Sequence, residues 1–140
     1  MNVREIMTPK VVTVPPKASI FQIAKLMRDE DIGSVPVVEN DRLIGIVTDR
    51  DIVIRALADA QPGKNVDART VMSSRVLYCF DDQSVEEVLA NMGDQQVRRL
   101  PVVDRDKRLV GVVSLGDLSE GAPPAQAGEC LSQISQEIRH

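Results

Sequence analysis

Residues 45–51 read GIVTDRD, and 66 positions further on residues 111–117 read GVVSLGD. Each stretch is an apolar run closed by a hydroxyl residue, Thr48 or Ser114, with an aspartate three positions later, Asp51 or Asp117. A hydroxyl followed at the third position by a carboxylate is a capping box, which ties off the free amides of a helix's first turn. Each stretch therefore predicts a strand that passes directly into a helix. Two such endings in one chain of 140 residues predict an internal duplication.

Working outward, a shift of 65 lays Ile6–Val14 (IMTPKVVTV) over Val71–Cys79 (VMSSRVLYC), SIFQIAKLM over SVEEVLANM, and IGSVPVVEN over VRRLPVVDR. One extra residue between Asn40 and Arg42's counterparts brings RLIGIVTDRD onto RLVGVVSLGD, in a polar turn that absorbs an insertion at little cost. Both copies predict the same elements. Val11–Val14 and Val76–Cys79 are short strands. Ser19 with Gln22, and Ser84 with Glu87, cap the helices that follow, whose core faces are Ile20, Ile23, Ala24 and Met27 in one copy and Val85, Val88, Leu89 and Met92 in the other. Hairpins come next, from Val35–Val38 with Leu43–Val47 and from Leu100–Val103 with Leu109–Val113. The helix after the first ending is expected from Asp49 to about Ala60, where QPGKN breaks it; its counterpart stops near EGAPP. The segment AGECLSQISQEIRH suits a further weakly amphipathic helix or a partly ordered tail. The division that follows is residues 1–62, 63–122 and a tail at 123–140.

Composition narrows the function. With 43% apolar residues the chain has enough material for a core. No apolar run approaches the roughly 18 residues needed to span a bilayer, and MNVREIMTPK has no signal-peptide core, so a cytoplasmic protein without membrane contact is expected. Basic residues number 17 against 21 acidic, and aromatics make up 2%, which argues against nucleic acid as a partner. Cys79 and Cys130 lack metal-ligand spacing and suit buried free thiols.

The order strand, helix, strand, strand, helix, given twice with the IMT and VMS lead-ins, the VPVV and LPVV strands and the two hydroxyl-x-x-Asp endings, resembles a tandem pair of cystathionine-β-synthase-type (CBS) domains, or Bateman module. The resemblance covers roughly Val3–Leu118. It implies an α/β (α+β) fold in which two pseudo-two-fold-related βαββα repeats form one compact module. It also implies clefts that take adenosine derivatives, and a homodimer joined through helical faces.

From spacing alone, Thr48 with Asp51 and Ser114 with Asp117 are equally well read as helix caps or as ligand anchors, since the same hydroxyl and carboxylate suit a ribose or phosphate. The resemblance implies the second role, with crossed partners. Thr48 and Asp51 would work with Leu77 and Val97 against the adenine and with Arg98 and Arg99 near the phosphates. Ser114 and Asp117 would work with Val12, Ile32 and Gly33, and this cleft would take a less charged ligand or none. The arginines are also consistent with a solvated strand end or a salt bridge to a partner. AMP, ADP, ATP or S-adenosylmethionine is the implied ligand class, with no obligatory cofactor.

Catalysis is not expected. The single histidine is the last residue, His140, which leaves no histidine-based acid, base or metal site, and no GxxxxGK loop is present. The resulting expectation is a regulatory module that responds to an adenosine-type ligand and acts on an unidentified effector protein. The alternative is a structural interaction module whose clefts hold no ligand.

Overall fold

A computed structural model describes residues 1–58 and 65–136. The fold is mixed α+β and divides into two units, one formed by Val12–Val76 and the other by Met1–Val11 together with Leu77–His140.

In the first unit, α1 (Ile20–Glu30) begins at a complete capping box: Gln22 N–H donates to Ser19 Oγ at 3.1 Å, and Ser19 N–H donates to Gln22 Oε1 at 2.9 Å. It ends at Asp31, whose φ of 53° stops the helix in the left-handed region. β1 (Ser34–Glu39) and β2 (Arg42–Thr48) then form an antiparallel hairpin in which Ser34 faces Thr48 and Val37 faces Gly45. Asn40 and Asp41 turn the hairpin with φ of 53° and 65°, the two successive positive values that a tight primed turn requires. The expected strand Val11–Val14 contracts to one parallel bridge, Val14 beside Val37, because Pro15 and Pro16 follow and offer no ladder donors.

After β2, α2 (Asp49–Asp51) widens into π-helical turns over Ile52–Leu57, and Ala58 N–H reaches back five residues to Val53 O at 3.0 Å. The expected continuation towards Ala60 and the 62/63 boundary lie outside the described residues. α3 (Ala68–Val71) is capped by Asp67, which accepts from the Thr70 hydroxyl at 2.8 Å and its N–H at 3.0 Å; these bonds hold the Asp67 carboxyl below its ordinary pKa. The core gathers Val14, Ile23, Met27, Val35, Val37, Val47, Ile52, Ala56, Ala68 and Val71. Ala24, expected on this stripe, is exposed, because Ile20, Ile23 and Met27 suffice to cover the hairpin and Ala24 lies past the edge of that face.

The second unit repeats the plan. β3 (Cys79–Phe80) pairs in parallel with β4 (Arg99–Val103), displaced from the expected Val76–Cys79. α4 (Val85–Gln95) buries Val85, Val88, Leu89 and Met92. β5 (Leu109–Ser114) runs antiparallel to β4, with Arg99 facing Ser114 and Val102 facing Gly111. The extra residue of this copy is absorbed in the hairpin loop, where Asp104 Oδ1 accepts from the N–H of Asp106 at 2.9 Å and of Arg108 at 3.0 Å. α5 (Leu115–Glu120) is short, and α6 (Pro124–Ile134) lies along α4. The tail is therefore helical at least to Ile134; residues 137–140 are outside the description.

The spatial units are out of step with the sequence copies. Met7 and Thr8, from the lead-in of the first copy, lie against Gly111 and Val112 of the second unit, and Thr8 and Val112 exchange backbone hydrogen bonds of 2.9 and 3.0 Å. Met72 and Ser73 do the same to Gly45 and Ile46, with bonds of 3.0 and 2.9 Å. Each glycine is required by this approach: a Cβ at Gly111 would stand 2.9 Å from Thr8 O, and one at Gly45 would stand 3.1 Å from Ser73 O.

Candidate functional site

The two endings have the same backbone geometry. Asp51 N–H donates to Thr48 Oγ1 at 3.1 Å and Thr48 N–H to Asp51 Oδ2 at 2.9 Å; the Ser114 and Asp117 pair gives 3.1 and 3.0 Å. The capping box is thus formed at both. In each pair the hydroxyl oxygen accepts the cap bond, which leaves the hydroxyl proton to be donated elsewhere.

The surroundings differ. Asp51 Oδ1 faces Arg55 Nε at 3.9 Å, and the same guanidinium donates to the carbonyls of Val71 and Met72, each at 3.2 Å. The position matching Arg55 in the other copy is Gly121, and among the described residues no ion pair reaches Asp117. Beside Thr48, Gly33 O accepts from Asp49 N–H at 2.9 Å, and a Cβ on Gly33 would stand 3.3 Å from Asp49 Oδ2, so the glycine makes room for that carboxylate. Beside Ser114, Arg98 O accepts from Leu115 N–H at 2.8 Å in the same arrangement. The first unit thus sets an aspartate next to a glycine where the second sets an arginine next to a leucine.

In the second unit Arg98, Arg99, Ser114, Leu115, Gly116 and Ser119 line one side of an open cavity of about 480 Å³. Ala127, Gly128 and Leu131 of α6 line the other. Both arginines are exposed, and among the described residues neither makes a salt bridge. Two unpaired guanidinium groups beside a free hydroxyl proton suit an anionic, phosphate-like group, and the leucines supply apolar surface. The volume is that of a small-molecule site.

Within their own unit Arg98 and Arg99 lie with Ser114, because antiparallel pairing makes the first residue of β4 the partner of the last residue of β5. Asp117 does not line the cavity; it holds Ser114 from behind. Gly33 adjoins Asp49 of its own unit. Val12, Ile32, Thr48 and Asp51 belong to the first unit, and Leu77 and Val97 to the second. Ile32 and Val97 are half-buried against their respective cores, Val12 is half-buried, and Leu77 is exposed. The contribution of α6 was missed; its signal was the small pair Ala127–Gly128 inside a helical run.

Cys79 and Cys130 are free and buried, and burial, with Asp81 nearby, pushes the Cys79 thiol up to about 12. Among the described residues no cluster of three or more His, Cys, Asp or Glu is arranged to hold a metal, and no helix is long and apolar enough to cross a membrane.

The CBS domain family model matches residues 3–57 and 68–122, and the chain belongs to that family. The CBS domain-containing protein YhcV of Bacillus subtilis is 38% identical over 140 residues, covering 99% of this chain and 99% of its own. The crystal structure of Hypoxic Response Protein I with two coordinated zinc ions is 35% identical with a TM-score of 0.76, covering 87% of this chain and 99% of that one. The CBS domain pair of protein MJ0100, in complex with 5-methylthioadenosine and S-adenosyl-L-methionine, is 30% identical with a TM-score of 0.70, covering 86% of this chain and 94% of that one.

Proposed function

We propose that this protein is a non-catalytic regulatory module that binds an adenosine-type ligand carrying an anionic group, and that the cavity of the second unit is its principal site. The observation that carries this reading is the meeting of Arg98, Arg99 and Ser114 at one open cavity. The adenosyl ligands of the MJ0100 domain pair support the ligand class. Arg98 and Arg99 hold the anionic group, Ser114 donates its hydroxyl proton, and Asp117 orients Ser114. The first unit, whose Asp51 faces Arg55 and whose Asp49 fills the place beside Gly33, takes the less charged ligand or none. Binding acts by favouring one arrangement of the protein over another, which an effector protein or a second copy of the chain then reads. Isothermal calorimetry with AMP, ATP, 5-methylthioadenosine and S-adenosylmethionine tests this directly. Saturable binding of AMP or ATP, weakened by Arg99→Ala, is the expected result; no binding of any of the four would leave a purely structural interaction module.

A further inference from the structure

The cavity has a wall that the family repeats do not supply. α6 begins at Pro124, beyond the second matched segment, which ends at residue 122. Ala127, Gly128 and Leu131 nevertheless line the same cavity as the arginines and Ser114.

α6 runs along α4 with its backbone close, but it buries little side-chain surface there. Cys130 is its one buried residue among those described. Gln96 Nε2 donates to Gln133 O at 3.0 Å, Gln126 Nε2 donates to Glu86 O at 3.0 Å, and Gly93 lies directly beneath the Gln133 side chain. The seam with α4 is incompletely filled: a second cavity of about 120 Å³ runs along it, lined by Ala90, Asp94, Glu129 and Cys130 among others. A helix that fully buries one side chain, with Ile134 packed partly beside it, over an incompletely filled seam opens at lower cost than the core strands.

Gly128 is the informative residue on the cavity side. It sits inside a helix, where glycine is the poorest helix former apart from proline, and a Cβ there would meet nothing within 4 Å. Packing on its own unit does not require a glycine at this position; what the missing side chain provides is free cavity.

We propose that α6 is a wall of the ligand site, that Gly128 keeps that wall open, and that an occupied cavity holds α6 against α4, so that the helix reports binding. The proposal rests on the preceding functional reading. A ligand that touches the arginines and α6 together binds the docked helix more tightly than the undocked one, and that difference is the size of the shift it produces.

The two thiols make this measurable in the full chain. Cys130 is on the buried face of α6 and Cys79 is in β3 beside β4, so labelling of Cys130 follows opening of the helix while labelling of Cys79 follows opening of the unit. With pulsed iodoacetamide and peptide mass spectrometry, Cys130 is expected to label faster than Cys79 in the free protein. AMP at a hundred times its dissociation constant is expected to slow Cys130 labelling by up to about a hundredfold. Gly128→Trp is expected to lose at least tenfold in AMP affinity by calorimetry at an unchanged melting temperature, whereas Gly128→Ala keeps most of it. AMP that binds and slows Cys79 but leaves Cys130 unchanged overturns the inference while the functional reading stands, as does wild-type affinity in a folded Gly128→Trp. Equal labelling of the two thiols in the free protein also overturns it. Absence of AMP binding to the wild type overturns both.

Discussion

Thr48 and Ser114 have the same mechanical task and different electrostatic company. Both cap a helix through an aspartate, so Asp51→Ala and Asp117→Ala should each cost about 0.5–2 kcal/mol in urea denaturation. Their ligand effects should diverge. Asp51 already shares its second oxygen with Arg55, whereas Asp117 holds the serine that faces the arginine cavity. AMP affinity should therefore fall with Asp117→Ala and stay close to wild type with Asp51→Ala; the reverse order in calorimetry would move the site to the first unit. Arg99→Ala should weaken AMP by roughly tenfold, the loss of one charge-assisted hydrogen bond, and 5-methylthioadenosine, which has no phosphate, by much less. Equal losses for the two ligands would mean that the guanidinium does not meet the phosphate. The hydroxyl and aspartate pairs are legible in the sequence because capping chemistry is local. The surroundings of Arg98 and Arg99 are not, because they depend on a register that only the folded hairpin fixes: a loop held by Asp104 sets Arg99 opposite Ser114, and no motif announces that pairing.

Helices and hairpins follow the sequence where one face is apolar and fail to follow it where backbone geometry departs from the ideal. The stripe of α4 is wholly buried, so Met92→Ala should cost about 2–5 kcal/mol, and Met27→Ala, with 8% of its surface still exposed, should fall towards the lower end. A loss under about 0.5 kcal/mol at Met92 in denaturant titration would mean that the register of α4 is wrong. The glycines provide a second contrast. Gly111→Ala drives a methyl to within 2.9 Å of Thr8 O and into Met7, and should cost about 1–3 kcal/mol, while Gly116→Ala, whose nearest neighbour is Ser114 Oγ at 3.6 Å, should be close to neutral. The π-helical turns at Ile52–Leu57 escape sequence analysis because IVIRAL, apolar but for Arg55, has no polar face to set its winding. Their wider winding buries Ile52 and Ala56 but turns Val53, Ile54 and Leu57 outward.

The duplication itself is legible, yet the two units do not expose the same surface. In the first unit Phe21 is 73% exposed, with Val53 at 53%, Ile54 at 47% and Leu57 at 62%, on two helices that pack together. The matching positions of the second unit include Glu86, Ser119 and Glu120, and there α6 is fastened through the bond from Gln126 to Glu86 O. The first unit has no such internal cover among the described residues. We therefore expect a homodimer in which two first units meet through this face. Sedimentation equilibrium at tens of micromolar should give twice the 15.4 kDa of the chain, and Phe21→Glu should return it to one chain with its fold intact. A monomeric wild type, or a dimer unaffected by Phe21→Glu, would discard this face.

The exchange of lead-ins bears on the order in which the chain assembles. The segment that closes the edge of β2 lies only 27 residues downstream of it, at Ser73 against Ile46, whereas Thr8 must wait for Val112, 104 residues away. One unit is written as a clause inside the other. Pairings distant along the chain bear the larger loop-closure entropy and form late. Emerging from synthesis, the inner clause can close while the outer one still lacks its second half, and until then residues 1–11 have no β5 to join. Pulsed hydrogen exchange during refolding should protect the amides of Ile46 and Ser73 before those of Thr8 and Val112, and the arginine-lined cavity should be among the last features to appear. Simultaneous protection of all four amides would show that the two clauses close in one step.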